Sequence, residues 1–205
     1  LAAVMAAFYP GTNLLAPLIP FVIMAAADLF LSIIASGTFV TSVSRRAKTI
    51  AVAVFVAVDH CSAECAGIHA ALRGTRHEAL EPVRQGVAER FGGVAEDAAR
   101  GLSIRHDHGS QYMSRDFQKE IAWLGATSSP AFVRAPEGNG CAERFIRTLK
   151  ENLLWVRTFR TVEELRLALI DFRRTYNEHW LIERHGHRSP AQFRRDQMDK
   201  LPLAA

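Results

Sequence analysis

The chain has 205 residues, 49% of them hydrophobic, with a formal net charge of +4 and a pI near 9.3. That length suits one domain with a real core and an appendage at most. Its three cysteines, Cys61, Cys65 and Cys141, exclude a disulfide scaffold and a paired-cysteine zinc site, and read as reduced thiols of a cytoplasmic protein.

Residues 1–44 carry a single charged side chain, Asp28. Within them, residues 14–36 form an apolar run approaching the roughly 20 residues that cross a bilayer, but Pro17, Pro20 and Asp28 oppose a spanning helix. No basic region precedes it, as a secretory signal requires. The expectation is an apolar N-terminal segment, residues 1–36, outside the core and derived from another reading frame or a fusion. Residues 49–58, Thr-Ile-Ala-Val-Ala-Val-Phe-Val-Ala-Val, predict a buried strand broken at Asp59, and residues 65–72 a returning one. Ala79, Leu80, Val83, Val87 and Phe91 recur at helical spacing, with Gly92-Gly93 as a stop. Residues 102–105 predict a short strand leading to Asp107, and Phe117, Ile121 and Leu124 a helix stopped by Gly125. Residues 127–133 predict a last strand, weakened by Pro130. Strands first and then alternation with helices predict an α/β layer fold.

Asp107 lies where a short apolar run meets a polar turn, and Glu143 opens an amphipathic helix. Two carboxylates so presented can share divalent cations and promote phosphoryl transfer. On that helix Phe145, Ile146, Leu149 and Leu153 form an apolar stripe. Glu143, Arg147 and Lys150 share a neighbouring face, which suits either a metal-holding acid beside phosphate-holding cations or an ordinary surface ion pair. Basic residues recur from Arg144 to Arg195, as a polyanion-binding surface needs.

The segment His106-Asp107-His108-Gly109-Ser110-Gln111-Tyr112 resembles the second acidic motif of integrase-core (DDE-type) transposases of bacterial insertion sequences. Residues 136–152, Pro-Glu-Gly-Asn-Gly-Cys-Ala-Glu143-Arg-Phe-Ile-Arg-Thr-Leu-Lys-Glu-Asn, resemble the third, at the family's spacing. Tyr176-Asn177 and Ser189-Pro190 resemble its closing elements, so the resemblance covers roughly residues 37–195 and leaves 196–205 as a tail. It implies a ribonuclease-H-like fold, a mixed five-stranded sheet flanked by helices. It also implies DNA cleavage and strand transfer with two Mg²⁺ or Mn²⁺ ions, catalytic and metal-holding roles for Asp107 and Glu143, and DNA contacts by Arg144, Arg147 and Lys150. The implied partners are the DNA element ends and target and further copies of the chain, with no small-molecule substrate and no membrane.

The family's first acid lies in its first strand. Counting back from the strand that ends at Asp59 puts that position at Phe39, within Gly37-Thr38-Phe39-Val40-Thr41, and a phenyl ring offers no oxygen ligand. Asp59 and Asp28 are the two acids that could substitute; otherwise the triad is incomplete and this copy is defective. The alternatives in function are a non-catalytic DNA-binding remnant or a protein anchored through residues 14–36. His106 and His108 either orient the Asp107 turn or contact a phosphate. Trp123, Trp155 and Trp180 read as core or packing aromatics, not as a base-stacking platform. His179, His185 and His187 with Arg184 and Arg188 read as a basic loop, a solvated or DNA-near surface, and residues 138–140 as a turn before the Glu143 helix.

Overall fold

The computed structural model describes residues 31–33, 41–45, 48–131 and 140–200. These form strands β1 (Leu31–Ile33), β2 (Thr41–Arg45), β3 (Lys48–Asp59) and β4 (Cys65–Ala71), followed by helix α1 (Arg76–Phe91) and strand β5 (Ser103–His106). Helix α2 (Arg115–Trp123), strand β6 (Thr127–Pro130) and helix α3 (Gly140–Leu149) come next, and α3 runs on into a π-helical turn, Lys150–Leu154. Helix α4 (Val162–His179), a 3₁₀ turn (Glu183–His185) and helix α5 (Pro190–Met198) complete the described chain.

The valine-alanine run of β3 sets the layers. Period-two alternation sends Val52, Val54, Val56 and Val58 to one face and Ala53, Phe55 and Ala57 to the other, and all seven are buried. The valine face packs with Ala142, Phe145, Ile146 and Leu149 of α3 and Leu165, Leu169 and Tyr176 of α4. The opposite face packs with Leu80, Val83 and Val87 of α1 and Phe117 and Ile121 of α2. A strand apolar on both sides is thereby covered by helices on both sides. Gly67 of β4 lets α1 approach closely: a Cβ there would lie 2.0 Å from the Pro82 carbonyl oxygen.

The sheet runs β4-β3-β1-β5-β6, with β2 pairing the N-terminal part of β3. β1 is antiparallel to β3, with Leu31 opposite Asp59, and parallel to β5, with Ser32 beside Arg105. β5 and β6 are parallel. This is the mixed α/β, ribonuclease-H-like arrangement that the resemblance implied. The strand between β3 and β5 is Leu31–Ile33, however, earlier in the chain than Gly37-Thr38-Phe39-Val40-Thr41. Residues 34–40, and with them Phe39, lie outside the described residues, as do Asp28 and residues 138–139. β6 ends at Pro130, and the Ala131 N–H still donates to the His106 carbonyl at 2.8 Å, so the missing Pro130 N–H costs this ladder nothing.

Helix ends follow from side chains the sequence supplies. Thr75, Ser114, Thr161 and Ser189 each accept a backbone N–H three residues on, capping α1, α2, α4 and α5. Pro190 then occupies the first turn of α5, where its missing N–H costs nothing. Gly92 ends α1 with φ 81°, a left-handed conformation that glycine adopts freely. Among the described residues, no helix is long and apolar enough to cross a membrane.

Candidate active site

Asp107 follows β5 directly. Along that strand Ile104 and His106 are buried on the α1/α2 face. Alternation therefore gives Arg105 and Asp107 to the face that carries α3. The turn is held from beneath: His106 is fully buried, with its Nδ1 2.7 Å from the Asp107 carbonyl oxygen and its Nε2 2.8 Å from Ser128 Oγ. The imidazole stacks on Tyr112 at 5.6 Å and meets Phe117 edge-on at 5.7 Å. Burial lowers its pKa, against the opposing pull of the Asp107 backbone and carboxylate, so it sits as a neutral positioning group. Of the two parts expected of His106 and His108, His106 takes the first; His108 is exposed.

The Asp107 side chain is half-buried, and its Oδ1 accepts the Gly109 N–H at 2.7 Å. A Cβ on Gly109 would come within 2.8 Å of that same oxygen. The His-Asp-His-Gly order thus leaves room for the carboxylate to fold over its own turn, with one oxygen tied down and the other left for a ligand.

Glu143 sits on the first turn of α3, which begins at Gly140. The buried stripe of Ala142, Phe145, Ile146 and Leu149 fixes the roll of the helix and leaves Glu143, Arg144 and Arg147 exposed. Glu143 and Arg147 form no ion pair with each other, nor with any other described residue, so the surface-pair reading of this face is not what the structure contains. Lys150 opens the π-helical turn and is half-buried. A groove of about 520 Å³ runs beside this face, lined by Glu143, Arg144 and Arg147 on one side and Tyr176, Trp180 and Glu183 on the other.

Asp59 does not complete the site. Its partner Leu31 precedes Ser32, which pairs with Arg105, so Asp59 lies level with Ile104 and three residues short of Asp107. At about 3.3 Å per residue that is roughly 10 Å along the strands, with β1 in between. Alternation with Val58 also aims Asp59 at the α1/α2 face. There the buried carboxylate accepts the Cys61 N–H at 2.9 Å and the Ser62 hydroxyl at 2.7 Å, closing the β3–β4 turn. Burial raises its pKa despite those two bonds. Among the described residues no group of three His, Cys, Asp or Glu side chains is placed to hold a metal ion.

The comparisons with known proteins agree with the fold. The integrase core domain family matches residues 125–190, from just before β6 to the first residue of α5. The putative transposase InsD of insertion element IS2E from Escherichia coli K12 is 27% identical over 145 residues, covering 70% of this chain and 66% of that protein. For the IS2A/D/F/H/I/K transposase InsD of Escherichia coli the identity is the same, over 48% of its length. The chain therefore spans half to two-thirds of the curated relatives it matches. Among solved structures, the catalytic core domain of BIV integrase superposes with a TM-score of 0.56 over 84% of this chain and 98% of that one, at 17% identity. The HTLV-2 integrase catalytic core domain in complex with magnesium gives 0.54 over 80% and 95%, also at 17% identity.

These matches support the resemblance to integrase-core transposases of bacterial insertion sequences. Three placements differ from the sequence-based expectation. Trp123, Trp155 and Trp180 are 42%, 69% and 38% exposed, so they are not core aromatics; their spacing carried no information about which helix face they occupy. His185, expected in a solvated loop, is buried and stacked on Phe193 at 4.0 Å. Trp180 was missed as a groove residue. The signal available was its position four residues after Tyr176, which on a helix places two aromatic rings one above the other.

Proposed function

We propose that this chain is the catalytic-core portion of a DNA transposase, corresponding to residues 37–195 together with the β1 strand. Its phosphoryl-transfer site is built on Asp107 and Glu143 and lacks a third carboxylate in this copy. The observation that carries the reading is that Asp107 leaves the carboxyl end of β5 on the same sheet face as α3, where Glu143 stands exposed and unpaired.

Asp107 and Glu143 are the residues that would hold Mg²⁺ or Mn²⁺, hard cations that take oxygen ligands. Such an ion, when bound, supplies charge stabilisation for phosphoryl oxygens and activates the attacking hydroxyl. The chain's own residues supply the rest. Gly109 N–H fixes the Asp107 carboxylate and His106 its backbone carbonyl, while Arg144, Arg147 and Lys150 hold DNA phosphates beside Glu143. DNA ends and target are the proposed partners, bound by more than one copy of the chain.

Counting by the family pattern puts the first-strand acid position at Phe39, whose phenyl ring offers no oxygen, and no Asp or Glu lies between Asp28 and Asp59. Losing a ligand of this kind costs several kcal/mol of transition-state stabilisation, orders of magnitude in rate. The basic face beside Glu143 would survive that loss, which favours a DNA-binding remnant as the present-day activity.

Calorimetric titration of the full chain with Mn²⁺ and Mg²⁺, beside its Phe39→Asp form, tests the proposal. Two-site binding gained only by Phe39→Asp identifies the vacated position and supports a disabled copy. Two-site binding by the natural chain shows that another acid completes the triad, and ends the claim that it is defective.

A further inference from the structure

The groove beside α3 contains a side chain that phosphate binding does not explain. Trp180 ends α4, stacked on Tyr176 with ring centroids 6.1 Å apart and planes 29° from parallel. Tyr176 is itself buried, packed edge-on against Phe145 of α3 at 4.8 Å. The indole is therefore seated on a rigid aromatic base that reaches into the helix carrying Glu143, while 38% of the residue remains exposed along the groove wall. Leu181, 62% exposed, extends the apolar surface beside it.

The opposite wall is cationic. Arg144 and Arg147 are both exposed, and neither forms an ion pair with a described carboxylate. The acids lining the groove are Glu143, the candidate metal holder, and Glu183 at the rim. Arg144, Arg147 and Trp180 line one groove of about 520 Å³, within the roughly 300–1,000 Å³ typical of ligand sites. An apolar peptide would leave both guanidinium groups desolvated and unpaired. A nucleotide satisfies both walls at once, its base on the aromatic face and its phosphates on the arginines.

We infer that this groove is a subsite for one unpaired nucleotide of the DNA, with the base stacked on Trp180 and the flanking phosphates held by Arg144 and Arg147. A duplex keeps its bases in the stack and offers only the phosphate part of this recognition; a frayed or overhanging end offers both. The groove would then select strand ends over duplex interior, and place the selected end beside Glu143. The inference rests on the DNA reading of the same site and adds to it the state of the end that is bound.

Fluorescence anisotropy with labelled oligonucleotides tests it, comparing a blunt duplex, the same duplex with a two-nucleotide single-stranded 3′ overhang, and a closed hairpin-capped duplex. The full natural chain is expected to prefer the overhang by at least about fivefold, the lower end of what a single base–aromatic stack contributes. Trp180→Ala should abolish the preference, and Trp180→Leu, which keeps apolar cover over Tyr176 without a π face, should abolish it equally. Trp180→Phe should retain most of it. Arg147→Ala should weaken binding to all three DNAs. An overhang preference that Trp180→Leu leaves intact overturns the stacking subsite while the DNA reading stands. Absence of salt-dependent binding to any of the DNAs overturns both.

Discussion

Asn177 completes the edge of a strand that belongs to another layer. Its Oδ1 accepts the Cys65 N–H at 2.9 Å and its Nδ2 donates to the Cys65 carbonyl at 3.0 Å, so one amide side chain satisfies both backbone groups of a buried residue. Arg173, one turn earlier on α4, donates its Nε–H to the same carbonyl at 2.7 Å. Tyr176, next to Asn177, packs against Phe145 of α3. The Tyr-Asn pair therefore joins the start of β4, helix α4 and the helix carrying Glu143, and its part is to position that helix.

Asn177→Ala leaves the buried Cys65 N–H without its acceptor and removes one of two donors to the carbonyl. Stranding a buried donor costs about 2 kcal/mol. Urea unfolding should show a lower midpoint at an unchanged slope. Asn177→Asp should also destabilise, because a carboxylate has no N–H to give the carbonyl.

Glu64 supports the same end of β4 differently. It is 3% exposed and accepts from Arg90 of α1 at 2.5 Å and from Arg194 of α5 at 2.7 Å. The Arg90 side chain is 7% exposed, so removing the carboxylate leaves a buried cation uncompensated. Glu64→Ala should cost roughly 3–5 kcal/mol, as for other broken buried pairs. In a double-mutant cycle Arg90→Met should recover part of that loss; strictly additive effects would contradict the coupling.

The β3, β4, α1, β5 and α2 elements were legible because their apolar residues repeat at strand or helix period, and Asp107 and Glu143 because each sits at the end or start of such a pattern. β1 was not legible. Leu31–Ile33 is three residues inside a continuous apolar stretch, and its place between β3 and β5 comes from pairing with residues far along the chain, which local periodicity does not encode. The same holds for Trp180 and His185. Both belong to a stretch whose composition reads as polar loop, yet one is stacked on Tyr176 and the other buried against Phe193 by tertiary packing alone.

Arg144 and Arg147 should each contribute a phosphate contact. For the natural chain the logarithm of duplex-DNA affinity should fall linearly with the logarithm of salt concentration. Each Arg→Ala change should weaken binding to all sequences alike and make that slope shallower by about 1. A slope that neither substitution alters would move the DNA contact elsewhere on the basic surface.

The three cysteines should separate cleanly by reactivity. Cys61 is exposed, whereas Cys65 is fully buried, with its thiol pushed up to about 12 chiefly by burial. Cys141 is half-buried, and burial raises it as well. The thiolate is the reacting species, so a thiol reagent at pH 8 should label Cys61 first and Cys141 more slowly. Cys65 should react when the chain unfolds. Rapid native labelling of Cys65 would mean that the start of β4 opens, against the Asn177 latch.

His185 should make the fold acid-sensitive. Burial, and secondarily the Arg184 charge, lower its pKa below the ordinary 6.5, with a backbone contact at Cys61 opposing them. Between the depressed folded value and about 6.5 the unfolded chain binds more protons than the folded one, so stability rises with pH across that window. The contribution is fully present above about pH 6.5 and is lost as pH falls through the folded value. His185→Phe keeps an aromatic ring against Phe193 and removes the titrating group. Denaturant midpoints measured at pH 7.5 and 5.5 should therefore fall further for the natural chain than for His185→Phe. Equal falls would show that His185 takes up its proton in the folded chain as readily as in the unfolded one.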